Sequence, residues 1–222
     1  MTSNEYSNPD ILVSTAWLEN HIDEPDIRVV DCDMMDSYAR AHIKGSVGID
    51  VHHYIKHPNY PSDNKAYPWV AGPEVVKDIL QRMGIGDETT VVAYDSNGSL
   101  WASRFWWVLN YYGHMNVKVL DGGWKKWFDE KRPLSIDNPT TKETVFTPKI
   151  QSGLICEIDE MSSKLGDQDL VNHLTSQVNH RGRRWKSILI VIFFNSNYKF
   201  CKSSINIPAS TSYKTSSLRG KK

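Results

Sequence analysis

The chain has 222 residues, 40% hydrophobic and 11% aromatic, enough to build a proper core in one large or two small domains. Its 26 basic and 26 acidic residues cancel, but unevenly: ten Lys and Arg and no acid lie in residues 171–222, which leaves 16 basic against 26 acidic residues before them. Three widely spaced cysteines, Cys32, Cys156 and Cys201, with no C-x-x-C pair exclude a disulfide framework and a zinc knot, and the apolar run Ser187 to Phe194 is too short to cross a bilayer.

From the N-terminus, Met1 to Asp10 carries neither a basic residue nor an apolar run, so no secretory or transit signal is expected and the chain reads as cytoplasmic. Ser14 is placed to cap a helix from Thr15 to His21, and Ile27 to Asp31 is a short apolar strand. A helical turn is expected from Asp36 to His42, then a strand from Ser46 to Val51. Residues 52–70 form a polar and aromatic loop. Pro73 suits the first position of a helix that runs to Met83 and is closed by the turn Gly84 to Asp87. Thr90 to Tyr94 is apolar on both faces, as a central parallel strand is. The helix Ser99 to Tyr112, the strand Val117 to Leu120 and the helix Gly123 to Glu130 complete an alternating pattern. That pattern predicts an α/β fold: a parallel sheet with helices on both faces.

The most informative stretch is the loop after the central strand, Asp95-Ser96-Asn97-Gly98-Ser99-Leu100. Short polar residues at the end of a parallel strand, followed by the first turn of a helix, aim backbone N–H groups and the positive end of the helix dipole at one point. They make a cradle for an anion. A thiolate at the first loop position would be stabilised there as a nucleophile, but the position holds Asp95.

Together with this loop, several ordered segments resemble the rhodanese-like sulfurtransferases, in particular the tandem type that uses thiosulfate or 3-mercaptopyruvate. Val29-Val30-Asp31-Cys32 and Tyr38-Ala39-Arg40-Ala41-His42-Ile43-Lys44-Gly45-Ser46-Val47 look like the family's first strand and its "GHIPGA" segment, with Ala41 and Lys44 as departures. Gly113-His114-Met115-Asn116-Val117-Lys118-Val119-Leu120-Asp121-Gly122-Gly123-Trp124 is similar to the segment behind the active-site helix. The resemblance implies a small anionic sulfur donor, a thiol or protein acceptor, and a persulfide carried by a loop Cys. It also implies that this is the first, degenerate copy of a tandem protein. Asp95 then stands at the nucleophile position, Ser96, Asn97, Gly98, Ser99 and Leu100 form the anion-binding loop, and the chain itself has no catalytic residue. The alternative is a module that binds an anion or a protein without turnover.

Three domain segments are expected. Residues 11–135 form the rhodanese-like domain. A linker marked by Pro139 and Pro148 covers 136–153. Residues 154–222 make an incomplete second repeat with a basic tail, either poorly ordered because truncated or continued out of frame, or an ordered hairpin packed on the domain's edge. Arg181, Arg183 and Arg184 are read as part of a solvated tail rather than a nucleic-acid surface. No cofactor is expected, because Gly84-Ile85-Gly86 precedes a strand instead of opening a helix. No metal is expected either, because His52, His53 and His57 have no carboxylate or Cys nearby to complete a ligand set.

Overall fold

A computed structural model describes residues 9–51 and 70–154. Its framework is a five-stranded, wholly parallel sheet in the order β1-β6-β5-β2-β4. The strands are β1 (Leu12–Val13), β2 (Ile27–Asp31), β4 (Val47–Gly48), β5 (Thr90–Tyr94) and β6 (Val117–Leu120). β5 lies at the centre, in register with β2 from Ile27 opposite Thr90 to Asp31 opposite Tyr94, and with β6 from Val91 opposite Val117 to Ala93 opposite Val119. Its residues from Val91 to Tyr94 are buried, which explains why the strand reads as a continuous apolar run.

Alternation across the pleat sorts the core into two layers. Val30, Val91, Ala93, Val117 and Val119 point to one face. There they pack with Val76 and Leu80 of α3 (Pro73–Arg82) and with Phe105, Val108 and Leu109 of α4 (Leu100–Tyr111). Ile27, Val29, Val92, Tyr94 and Leu120 point to the other, against Leu18 of α1 (Thr15–His21) and Trp127 of α5 (Gly123–Asp129). Helices therefore cover both faces, as the alternating pattern predicts. Ser14 caps α1 as expected, its hydroxyl accepting from the Trp17 amide at 3.1 Å. Pro73 opens α3.

Beyond the unexpected two-residue β1 and the shortening of the strand expected from Ser46 to Val51 to the two residues of β4, three features differ from the sequence reading. The helical turn α2 covers Met35–Arg40 rather than reaching His42. His42 instead begins β3 (His42–Ile43), which pairs antiparallel with β7 (Leu134–Ser135) in a separate two-stranded ribbon. Periodicity cannot reveal strands of two residues, since they contain no full period. The third feature is the stretch expected as a linker, 136–153. It has no regular structure before Ser152–Leu154, yet it is fastened to the domain at several points. The Thr141 hydroxyl donates to the Arg82 carbonyl at 2.8 Å, and the Asp87 amide donates to the Val145 carbonyl at 3.0 Å. Phe146 is buried, and the amides of Lys149 and Gln151 donate to the carbonyls of Tyr112 and Tyr111, each at 2.8 Å. At its start, the Asp137 carbonyl lies 3.1 Å from His42 Nε2. The segment is a strap: its polar composition reads as a linker, but its backbone groups and one phenyl ring bind it down.

The expected incomplete repeat, the basic tail with Arg181 to Lys186, Cys156, Cys201 and the histidines of the 52–69 loop lie outside the described residues. Among the described residues no helix is long and apolar enough to cross a membrane, and no group of three or more His, Cys, Asp or Glu is disposed to hold a metal ion.

Candidate functional site: a cradle filled by its own carboxylate

The C-terminal ends of β2 and β5 lie side by side, so the residues that follow them meet at one edge of the sheet. Asp95 leaves β5 and points its buried side chain back under the loop that it begins. Its Oδ1 accepts from the amides of Asn97 at 2.9 Å and Ser99 at 2.8 Å. Its Oδ2 accepts from the amides of Trp101 at 2.7 Å and Ala102 at 2.9 Å. One carboxylate thus collects four backbone donors, two from the loop and two from the first turn of α4.

This arrangement explains how α4 begins. Its N-cap residue, Ser99, is in the left-handed region at φ 65° and makes no side-chain cap bond. The second and third amides of the helix go to Asp95 instead, so the cap is supplied from four residues upstream. Charge-assisted amide bonds and the helix dipole act on it together.

In the stretch Ser96 to Leu100, expected from the sequence as the anion-binding loop, three amides have partners within the chain. The amides of Asn97 and Ser99 are taken by Asp95, and the amide of Ser96 donates to Asp33 Oδ2 at 2.8 Å. The geometry of an anion cradle is present, but a covalently tethered anion occupies it.

Sequence reasoning missed the residues that surround this cradle. Asp33, just beyond β2, clamps the loop through Ser96, and burial pushes its carboxyl above the ordinary range. Asp31 accepts from the Asp33 amide at 2.9 Å and from the Tyr94 hydroxyl at 2.6 Å. Burial nevertheless raises its carboxyl to about 6, since those bonds only partly offset the loss of hydration. Across the site, the Trp124 amide donates to the Asp95 carbonyl at 2.9 Å. A Cβ on Gly123 would strike that same carbonyl oxygen, and Gly123 has φ 53°, so glycine is required there on both counts. The signals were present as Asp31-Cys32-Asp33 at a strand end and as the pair Gly122-Gly123. Only the fold brings them against residue 95.

Cys32 is the one free thiol among the described residues, and it is inert by position. Burial first, then the carboxylates of Asp95, Asp31 and Asp33, push it well above the usual thiol range. Thiolate reactivity is suppressed accordingly. Arg104, in the second turn of α4, lies over the Trp107 ring at 4.9 Å, and burial lowers its guanidinium to about 10.

Residues 14–130 match the rhodanese-like domain. The chain is 33% identical over 136 residues to the sulfur carrier protein TtuD of Thermus thermophilus, covering 61% of this chain and 45% of that protein. It is also 33% identical over 165 residues to a protein of Mycolicibacterium smegmatis provisionally named as a thiosulfate sulfurtransferase, covering 73% of this chain and 57% of that one. The fold is that of the crystal structure of SseA from Escherichia coli, a 3-mercaptopyruvate sulfurtransferase by its description, with a TM-score of 0.63 at 22% identity over 69% of this chain and 61% of that one. The 3-mercaptopyruvate sulfurtransferase of Leishmania major is similar too, with a TM-score of 0.56 at 19% identity over 71% of this chain and 45% of that one. The chain spans about half the length of these two curated relatives.

Proposed function

The chain belongs to the rhodanese-like family of sulfurtransferases, and within it we propose that the described domain is the non-catalytic type, with Asp95 standing where a catalytic Cys would carry sulfur. The observation that carries this reading is the binding of four backbone amides by the Asp95 carboxylate. In sulfur transfer from thiosulfate, a thiolate attacks the outer sulfur, sulfite leaves, and the enzyme persulfide passes that sulfur to cyanide or a thiol. A carboxylate forms no persulfide. It also repels an anionic donor from the donors it already occupies. Cys32, the described thiol, is too deeply buried and too strongly surrounded by carboxyl groups to replace it.

Sulfur transfer, with thiosulfate or 3-mercaptopyruvate as donor and a thiol or protein as acceptor, is on this reading the work of a longer tandem product in which this domain is the structural partner. A cytoplasmic setting accords with the free thiol Cys32. A second reading, a protein-binding module without turnover, draws on Met34 and Met35. They follow Asp33 at the lip of the loop and remain 47% and 40% exposed.

The test is a thiosulfate:cyanide assay on the purified chain, followed by mass spectrometry of its cysteines after thiosulfate treatment. No turnover and no persulfide are expected. Cyanide-dependent turnover that disappears on replacing a single Cys by Ser would overturn the non-catalytic reading.

A further inference from the structure

The crest of the same loop carries a second chemistry, independent of whether sulfur is transferred. Asn97 and Gly98 are both exposed. The Asn97 amide and the Ser99 amide are pinned to the same oxygen, Asp95 Oδ1, so Gly98 stands at the top of a turn held from both sides. Gly98 has φ 67°, and a Cβ at this position would meet nothing within 4 Å. Its own amide donates to no described residue. A backbone nitrogen with no hydrogen-bond partner among the described residues, in an exposed glycine next to an exposed asparagine, is available for intramolecular attack.

We propose that Asn97-Gly98 is a self-modification site, at which the cradle loop converts spontaneously to aspartate and isoaspartate. The Gly98 nitrogen attacks Asn97 Cγ. A new C–N bond closes a five-membered imide, the Cγ–Nδ2 bond breaks, and ammonia leaves with the amide proton. Water then adds to either imide carbonyl, giving an Asp side chain or an isoaspartyl linkage. No oxidant, reductant or cofactor enters the balance.

The other described asparagines lack these conditions. Asn110 is buried, donates to the Trp106 carbonyl at 2.7 Å and precedes Tyr111 in a helix. Asn20 lies in α1, Asn116 donates to Thr90 Oγ1 at 2.7 Å and precedes the β-branched Val117, and Asn138 precedes Pro139, which has no N–H.

The product alters the site. Either outcome adds a carboxyl group one residue from the clamp between Ser96 and Asp33. The isoaspartyl form also inserts a methylene into the backbone between residues 97 and 98. Asp95 Oδ1 can then no longer hold both the residue 97 and residue 99 amides in their present geometry. The modification is a route by which the cap on α4 loosens with age.

The full chain is incubated at mildly alkaline pH and mapped by peptide mass spectrometry, with isoaspartate distinguished from aspartate by isoaspartyl methyltransferase labelling. Asn97 is expected to convert to a mixture of the two while Asn116 and Asn110 remain amides. Gly98→Ala should slow the conversion, and N97D should melt at a lower temperature than the unmodified chain. Persistence of the Asn97 amide while Asn116 or Asn110 converts, or equal rates in the Gly98→Ala protein, would overturn the assignment.

Discussion

The Tyr94 hydroxyl donates to Asp31 Oδ2 across 2.6 Å and accepts from the Ile43 amide at 3.0 Å, joining the ends of β5, β2 and β3 beneath the cradle. Ser46 Oγ lies 3.2 Å from the same oxygen. The central strand is thus tied to the short antiparallel ribbon by one buried phenol, and the carboxyl it serves is raised to about 6 from 3.8 by burial. A group whose folded pKa lies above its unfolded value contributes stability that is complete below the unfolded value and is lost as pH rises through the folded one. Between pH 4 and 6 the wild-type domain should therefore lose stability relative to Asp31→Asn, by an amount on the order of 2–3 kcal/mol across the window. Denaturant melts at a series of pH values measure the difference. Parallel curves for the two proteins would refute the assignment.

His114 acts with the opposite sign. It is buried, its Nε2 has no hydrogen-bond partner among the described residues, and burial lowers its pKa, with interactions from Thr89 and Asn116 only partly opposing that shift. A depressed imidazole contributes stability above its unfolded value of about 6.5 that disappears as pH falls through the folded one. His114→Gln should accordingly show a shallower loss of stability below neutrality than the wild type. The slopes of the two curves below pH 6.5 decide it.

The strands β2, β5 and β6 and the helices α1, α3, α4 and α5 were legible because each has either a full apolar period or a cap signal: Ser14 before α1, Pro73 at the start of α3, and Val91 to Tyr94 with no polar residue. The ribbon of His42–Ile43 with Leu134–Ser135 was not legible. Two-residue strands are set by tertiary pairing over a sequence separation that no local pattern encodes. At the site, residue 95 could be picked out from the loop chemistry, but not where its carboxylate goes. A Ser/Gly loop reads as a cradle, and only the fold turns Asp95 inward to satisfy Asn97, Ser99, Trp101 and Ala102. The role of Gly123 was hidden for the same reason, because its neighbour in space is a carbonyl 28 residues earlier.

Gly123→Ala should be among the most damaging single-methyl changes in the domain. The new Cβ meets the Asp95 carbonyl oxygen, which accepts from the Trp124 amide, and alanine disfavours the positive φ. Left-handed strain together with overpacking predicts a loss of about 2–4 kcal/mol. Chemical denaturation measures it. A loss within a few tenths of a kcal/mol would mean that α5 can shift away freely.

The strap makes a prediction about boundaries. Phe146 is buried and its ring lies 5.9 Å from that of His114, while Lys149 and Gln151 bond the end of α4. Limited proteolysis should leave residues 136–150 attached to the domain rather than cut near Arg132. Phe146→Ala should cost about 3–5 kcal/mol and shift cleavage into 136–150. Early cleavage at Lys142 in the wild type, with the remaining domain unchanged in melting temperature, would deny the strap a structural role.

The last prediction separates the two roles of Asp95, cap and occupant. Asp95→Ser removes the acceptor for the amides of Asn97, Ser99, Trp101 and Ala102, which should destabilise the domain by about 1–3 kcal/mol. The same change vacates four donors at the N-terminus of a 12-residue helix and removes the carboxylate that occupies them, while Asp33 stays on the neighbouring Ser96 amide. Sulfate or thiosulfate should then bind, the helix dipole contributing on the order of 1 kcal/mol, and should restore part of the lost stability. The wild type, whose amides are already taken, should bind neither. Calorimetry gives the binding and melting with and without sulfate gives the recovery. Serine can draw the amides onto its own hydroxyl, so Asp95→Gly, which offers no replacement acceptor, is measured beside it. Destabilisation without sulfate binding in both variants would mean that Asp95 holds the cradle open and does not merely fill it, because the donors converge only while the carboxylate is present to gather them.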